Sequence, residues 1–119
     1  MEPVRSVDPG ALNRLLEMTG GDPEFVDELI QTYLDDAVVQ LAAMRAAADA
    51  ASAAELVRPA HSLKGNSANV GAERLVVLCR QLEADARSGA VERATERVAA
   101  AAAEFERVRT ELAAFRGAK

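Results

Sequence analysis

The chain is short of the residues that most often carry chemistry. Its 119 residues include one histidine, one cysteine and no tryptophan, and the aromatic side chains are Phe25, Tyr33, Phe105 and Phe115. With Cys79 alone, no internal disulfide can form and a cysteine-rich metal site is ruled out. With so few aromatics, the core must be built from Leu, Val, Ile and many Ala. That composition suits closely approaching helices better than a β-sandwich. No apolar run reaches the ~20 residues that a membrane-spanning helix needs, and the N-terminus has no signal-peptide pattern. Positive charge is also scarce, the formal net charge being −5. Nucleic-acid recognition usually needs a basic face, so a nucleic-acid partner is not expected, and an anionic membrane surface is not indicated either. A single acidic, soluble, cytoplasmic, all-α domain is the expectation.

Helix punctuation is plentiful. Residues 1–7 carry no pattern and read as a frayed start. Asp8-Pro9 then opens a short helix, because Asp accepts from free backbone N–H groups and Pro suits the first helical position. Leu12, Leu15 and Leu16 form its apolar face, and Gly20-Gly21 end it. Asp22-Pro23 repeats the signal. From there Val26, Leu29, Ile30, Tyr33, Leu34, Ala37, Val38, Leu41 and Met44 follow the three-and-four spacing of an amphipathic helix, to about Asp49. Asp35 and Asp36 on it diverge in direction and read as a solvated face rather than a metal site. Ser52-Ala53-Ala54-Glu55 has the form of a capping box, in which Glu reaches back to the cap. Pro59 sits in the helix that follows and predicts a slight kink, the alternative being a helix that starts nearer Pro59.

Gly71 separates this third helix from a fourth, on which Leu75, Leu78, Cys79, Leu82 and Ala86 make a buried stripe ended by Ser88-Gly89. Cys79 lies on that stripe, as a small buried hydrophobe rather than a redox group. The last helix places Val91, Ala94, Val98, Ala101, Phe105, Val108, Leu112 and Phe115 at steps of three and four, with its other faces solvated. Brief connections make neighbouring helices antiparallel. The expected fold is an up-down-up-down four-helix bundle with a short additional N-terminal helix, over residues 8–116 as one domain.

The single histidine stands on the third helix, three residues from the only lysine before the terminal Lys119. Stepping at ~100° per residue puts Leu56, Ala60, Leu63, Ser67 and Val70 on the core side and His61 almost opposite. Lys64, Gly65 and Ala68 fall beside His61 on the outward face. A mid-helix glycine costs about 1 kcal/mol relative to alanine, and this chain uses alanine freely, so Gly65 needs a reason. It leaves a bare patch of backbone on which another protein can approach the imidazole. An imidazole with a reference pKa of about 6.5 is in large part neutral and nucleophilic near neutral pH. Lys64 could neutralise an anionic group there. The antiparallel hairpin about Gly71 brings His61 level with roughly residues 79–83, where Glu83 could fix the ring tautomer.

The run His61-Ser62-Leu63-Lys64-Gly65-x-Ser67 with Gly71-Ala72 resembles the signature of histidine-containing phosphotransfer (HPt) domains. So do Leu75-x-x-Leu78-Cys79-x-x-Leu82-Glu83 and the Asp-Pro-Glu-Phe-Val opening of the second helix. The resemblance implies a bundle whose surface His61 takes a phosphoryl group from a receiver-domain aspartate and passes it to another. It further implies that Lys64 stabilises the phosphoryl group, Gly65 gives clearance and Glu83 hydrogen-bonds His61. Ser67 matches a small polar position of the family, but its inward projection makes it a packing residue. Pro59 and the bulk of Asn66 depart from the pattern and bear on partner choice. Docking should bury Gly65, Ala68 and nearby apolar residues of the second and third helices. The implied partners are response-regulator receivers or a hybrid histidine kinase, with no cofactor in this chain and any Mg²⁺ on the receiver. A monomer is expected.

No Gly-rich phosphate-binding loop is present, so ATP is not the expected direct donor. Two other classes stand beside the carrier. One is a docking module that binds receivers without chemistry, which would not need the nucleophile. The other is a metal-containing bundle enzyme, which would need Glu-x-x-His pairs that a single histidine cannot supply.

Overall fold

The computed structural model describes residues 5–117. Five helices follow one another: α1 (Pro9–Met18), α2 (Pro23–Asp49), α3 (Ala53–Asn69), α4 (Glu73–Arg87) and α5 (Ala94–Gly117). In sequence order α2, α3, α4 and α5 each pack against the next, and α5 closes the ring on α2. That is the expected antiparallel bundle, with α1 as the short extra helix. One apolar core runs through it, filled by Leu, Val, Ile and Ala with Met44, Cys79 and Phe105. Tyr33 meets Phe105 edge-on with ring centroids 6.2 Å apart.

Both Asp-Pro signals act as they read. Asp8 accepts from Gly10 N, and Asp22 accepts from Glu24 N and Phe25 N. The capping box is only half made. Ser52 Oγ accepts from Glu55 N, but the Ser52 N–H already donates to Ala47 O as α2 closes. Glu55 therefore has nothing to reach back to. Ala51 makes that tight reversal at a φ of +51°, without the glycine such a position usually takes. α3 begins at Ala53 rather than near Pro59, and Pro59 is buried inside it.

Several expectations need correction. Ser6 and Val7 are buried, not frayed: their N–H groups donate to the two carboxylate oxygens of Glu111 on α5, at 2.8 and 2.9 Å. Residues 1–4 of the supposed frayed start lie outside the described residues. Leu29 and Val38 are exposed, because the true α2 stripe is narrower and runs through Val26, Ile30, Tyr33, Ala37, Leu41, Met44 and Ala47. Asp35 is solvated as expected, but Asp36 is half-buried and accepts from Asn66 Nδ2 on α3 and Gln40 Nε2. Regular helix in α5 starts at Ala94, leaving Val91 in the preceding turn. Glu104 belongs to the buried face of α5, not to a solvated one.

Gly71 ties α1 to the hairpin. Its O accepts from Asp8 N at 2.9 Å, its φ is +76°, and a Cβ there would lie 2.6 Å from Ala11 Cβ. Any side chain would push α1 off the turn between α3 and α4.

Candidate functional site

α3 divides cleanly between two environments. Leu56, Ala60, Leu63, Ser67 and Val70 are buried, as the projection requires. Ser67 shares a 2.8 Å hydrogen bond with Tyr33 inside the core, which explains why a hydroxyl is tolerated there. Burial pushes the Tyr33 phenol up to about 12, so it stays neutral. On the outer face the His61 side chain is 63% exposed. Gly65 and Ala68 are exposed beside it, and a Cβ on Gly65 would meet nothing within 4 Å. Among the described residues, no neighbouring element crowds Gly65.

Glu83 is brought to His61 from α4. Its side chain is only 8% exposed, yet it is surrounded by donors. His61 Nδ1 lies 3.0 Å from Oε2, and Lys64 Nζ lies 2.6 Å from Oε1. Arg87, one turn further along α4, donates from Nε at 3.0 Å and Nη2 at 2.7 Å to Oε2. Lys64 first, with Arg87 and His61 adding to it, outweighs burial and holds the Glu83 carboxyl down at about 2. At neutral pH Glu83 is therefore ionised and can only accept. Nδ1 of His61 then donates to Glu83, so in a neutral imidazole the free lone pair is on Nε2. One carboxylate set against two permanent cations also leaves the site net positive, an environment suited to an anionic group on Nε2.

His61, Lys64, Gly65, Ala68 and Glu83 thus form one surface. Arg87 is the residue that sequence reasoning missed. Its signal was available, since Glu83 and Arg87 stand four apart on one helix face. Cys79 lies below the site, fully buried, with burial raising its thiol to about 12. It is an inert packing group.

A groove of about 720 Å³ runs between α1, α2 and α3 beside this surface. Leu15, Met18 and Leu29 give it an apolar lining, while Asp36, Ser62 and Asn66 supply polar groups towards α3. Met18 is 81% exposed. An exposed imidazole next to an open, partly apolar groove suits a macromolecular partner better than an enclosed small molecule. Among the described residues, no helix is long and apolar enough to cross a membrane.

The chain is similar to known proteins along most of its length. The family model described as "Hpt domain" matches residues 28–118. Histidine-containing phosphotransfer protein 2 of Arabidopsis thaliana is 34% identical over 62 residues, a match covering 50% of this chain and 40% of that protein. The crystal structure of histidine-containing phosphotransfer protein B (HptB) from Pseudomonas aeruginosa PAO1 superposes with a TM-score of 0.89 at 31% identity. That match covers 98% of this chain and 99% of that one. A helical bundle shared from end to end, and a family match over most of the chain, place this protein in the histidine-containing phosphotransfer (Hpt) domain family.

Proposed function

We propose that this protein is a phosphorelay carrier in which His61 receives a phosphoryl group from the phospho-aspartate of one receiver domain and yields it to the aspartate of another. The observation that carries the proposal is the state of the imidazole. It is exposed, it sits beside a glycine with open space above it, and a buried carboxylate holds its Nδ1–H.

In the forward step the Nε2 lone pair attacks phosphorus and an N–P bond forms. The bond between phosphorus and the aspartyl oxygen breaks, and its electron pair leaves on the carboxylate. The Nδ1 proton stays where it is, shared with Glu83, so no proton has to be removed for the step to proceed. Positive charge that develops on the ring faces an ionised carboxylate, while Lys64 faces the phosphoryl oxygens. Reversal of the same steps returns the group to a second aspartate. The chain supplies the imidazole and its setting. The receiver supplies the acidic pocket, the aspartate and any Mg²⁺.

The docking surface comprises Gly65, Ala68 and the groove with Leu15, Met18 and Leu29. Residues 8–116 act as one module, in the cytoplasm, where receivers and their kinases work.

His61→Gln tests the proposal. The side chain is largely solvated, so the variant should keep the wild-type thermal melt while losing all phosphoryl acceptance from a labelled receiver. Acid-labile label persisting on His61→Gln would sink the assignment. A wild-type protein that binds the receiver but takes no label would reduce the chain to a docking module.

A further inference from the structure

Glu83 has two tasks that conflict. In the resting protein it holds Lys64, with Nζ 2.6 Å from Oε1. A lysine that neutralises a phosphoryl group on Nε2 must turn its ammonium towards that group and loosen its hold on Glu83. A neutral amide at position 83 would also accept the Nδ1–H, more weakly, and without binding Lys64 as a counter-charge. A carboxylate there creates a competition for the ammonium.

Arg87 relieves it. The guanidinium makes two bonds to Oε2, at 3.0 and 2.7 Å, from the same helix, and its planar fork stays charged at any working pH. Oε2 therefore receives Arg87 and His61, and Lys64 is the partner of Oε1. When Lys64 swings away, Glu83 keeps a permanent cation. Without Arg87, Lys64 would be the one permanent cation among the described residues on a carboxylate that is almost wholly buried, and moving it would strand that charge. The alternative outlet, protonation of Glu83, would replace an acceptor with a possible donor facing Nδ1 and disturb the tautomer on which the nucleophile depends.

We propose that Arg87 is a positioning residue that carries the charge of Glu83 so that Lys64 is free to move onto the phosphoryl group. It is needed only because residue 83 is a carboxylate. The proposal rests on His61 being the phosphoryl acceptor. Arg87 touches neither the phosphoryl group nor the partner; it acts through Glu83 alone.

A double-mutant cycle decides it. Single-turnover acceptance of phosphate from a labelled receiver is measured at rising receiver concentration for wild type, Arg87→Gln, Glu83→Gln and the double variant. Arg87→Gln should lower the saturating rate by about tenfold, the scale of one charge-assisted hydrogen bond. The half-saturating receiver concentration should stay where it was. In the Glu83→Gln background the same substitution should change the saturating rate by less than about twofold. Arg87→Lys, which keeps the charge, should recover most of the loss. Thermal melts of all variants exclude unfolding, which is not expected because the Arg87 side chain is 59% exposed. An equal loss in both backgrounds would assign Arg87 directly to the phosphoryl group and overturn the proposal. A shift confined to half-saturation would assign it to docking and overturn it too. Failure of wild type itself to take label would instead refute the acceptor role of His61, a separate result.

Discussion

Two glutamates are buried among the described residues, and they resemble each other in sequence more than in circumstance. Glu83 on α4 is followed four residues later by Arg87, and Glu104 on α5 three residues later by Arg107. Both side chains are more than nine-tenths buried, and both arginines are mostly exposed. Glu83, however, accepts from His61 and Arg87 on Oε2, while its Oε1, which takes no well-directed hydrogen bond among the described residues, is paired with the Lys64 ammonium of the neighbouring helix at 2.6 Å. Glu104 has Arg107 on Oε1 at 3.1 Å, and its buried Oε2 has no hydrogen-bond partner among the described residues. A carboxylate that a neighbouring helix supplies with donors becomes a fixed acceptor. One served only by its own helix is a liability to stability that the rest of the core must offset.

The largest expected contrast is in phosphoryl transfer. Glu83→Leu should lower acceptance on His61 by tenfold to a hundredfold, on the order of what an acid–base partner contributes. The ring loses its tautomer anchor and Lys64 its resting partner. Glu104→Leu should leave acceptance unchanged. Equal losses in the two variants, measured with one labelled receiver, would abolish the distinction.

Next in size is acid sensitivity. Glu83 sits at about 2 in the folded protein against 4.5 as its ordinary value. Above that ordinary value the carboxylate is ionised in both states and its full stabilisation is present. As pH falls from 4.5 towards 2 the unfolded chain takes up the proton first, so this contribution is lost across that window. Urea unfolding of wild type and Glu83→Gln at several pH values should show their difference shrinking over the same interval. A difference that stays constant would mean the donors do not hold Glu83 ionised.

Smaller still is the effect of stranding Glu104. Arg107→Ala leaves a buried carboxylate with neither oxygen paired, and should cost about 1–2 kcal/mol in urea unfolding, moderated by the exposure of Arg107. Least of all is Glu104→Leu. Replacing a half-satisfied buried carboxylate with an apolar side chain should change stability by no more than about 1 kcal/mol, in the stabilising direction. A clear destabilisation would show that Oε2 is satisfied in solution by an ordered water.

How much of this was readable from residues alone depended on the range of the signal. The helices were legible because Asp-Pro openings and three-and-four spacing are local. His61 and Lys64 were legible because the chain almost avoids both residue types, and Gly65 because its neighbours are so often alanine. Glu83 needed one further step, the register of the hairpin about Gly71. Leu29 and Val38 were misplaced because a wide apolar stripe does not reveal which edge a neighbour will cover. Glu104 sits next to Phe105 on the flank of the α5 seam, where spacing alone cannot separate buried from solvated. Ser6 and Val7 offer no periodicity at all. Their partner Glu111 lies more than a hundred residues away, and only the closed bundle brings it near.

That last contact has a consequence for architecture. Because Glu111 of the last helix clasps the backbone at 6–7, and Gly71 O holds Asp8 N one residue later, the lead into α1 laces α5 to the turn between α3 and α4.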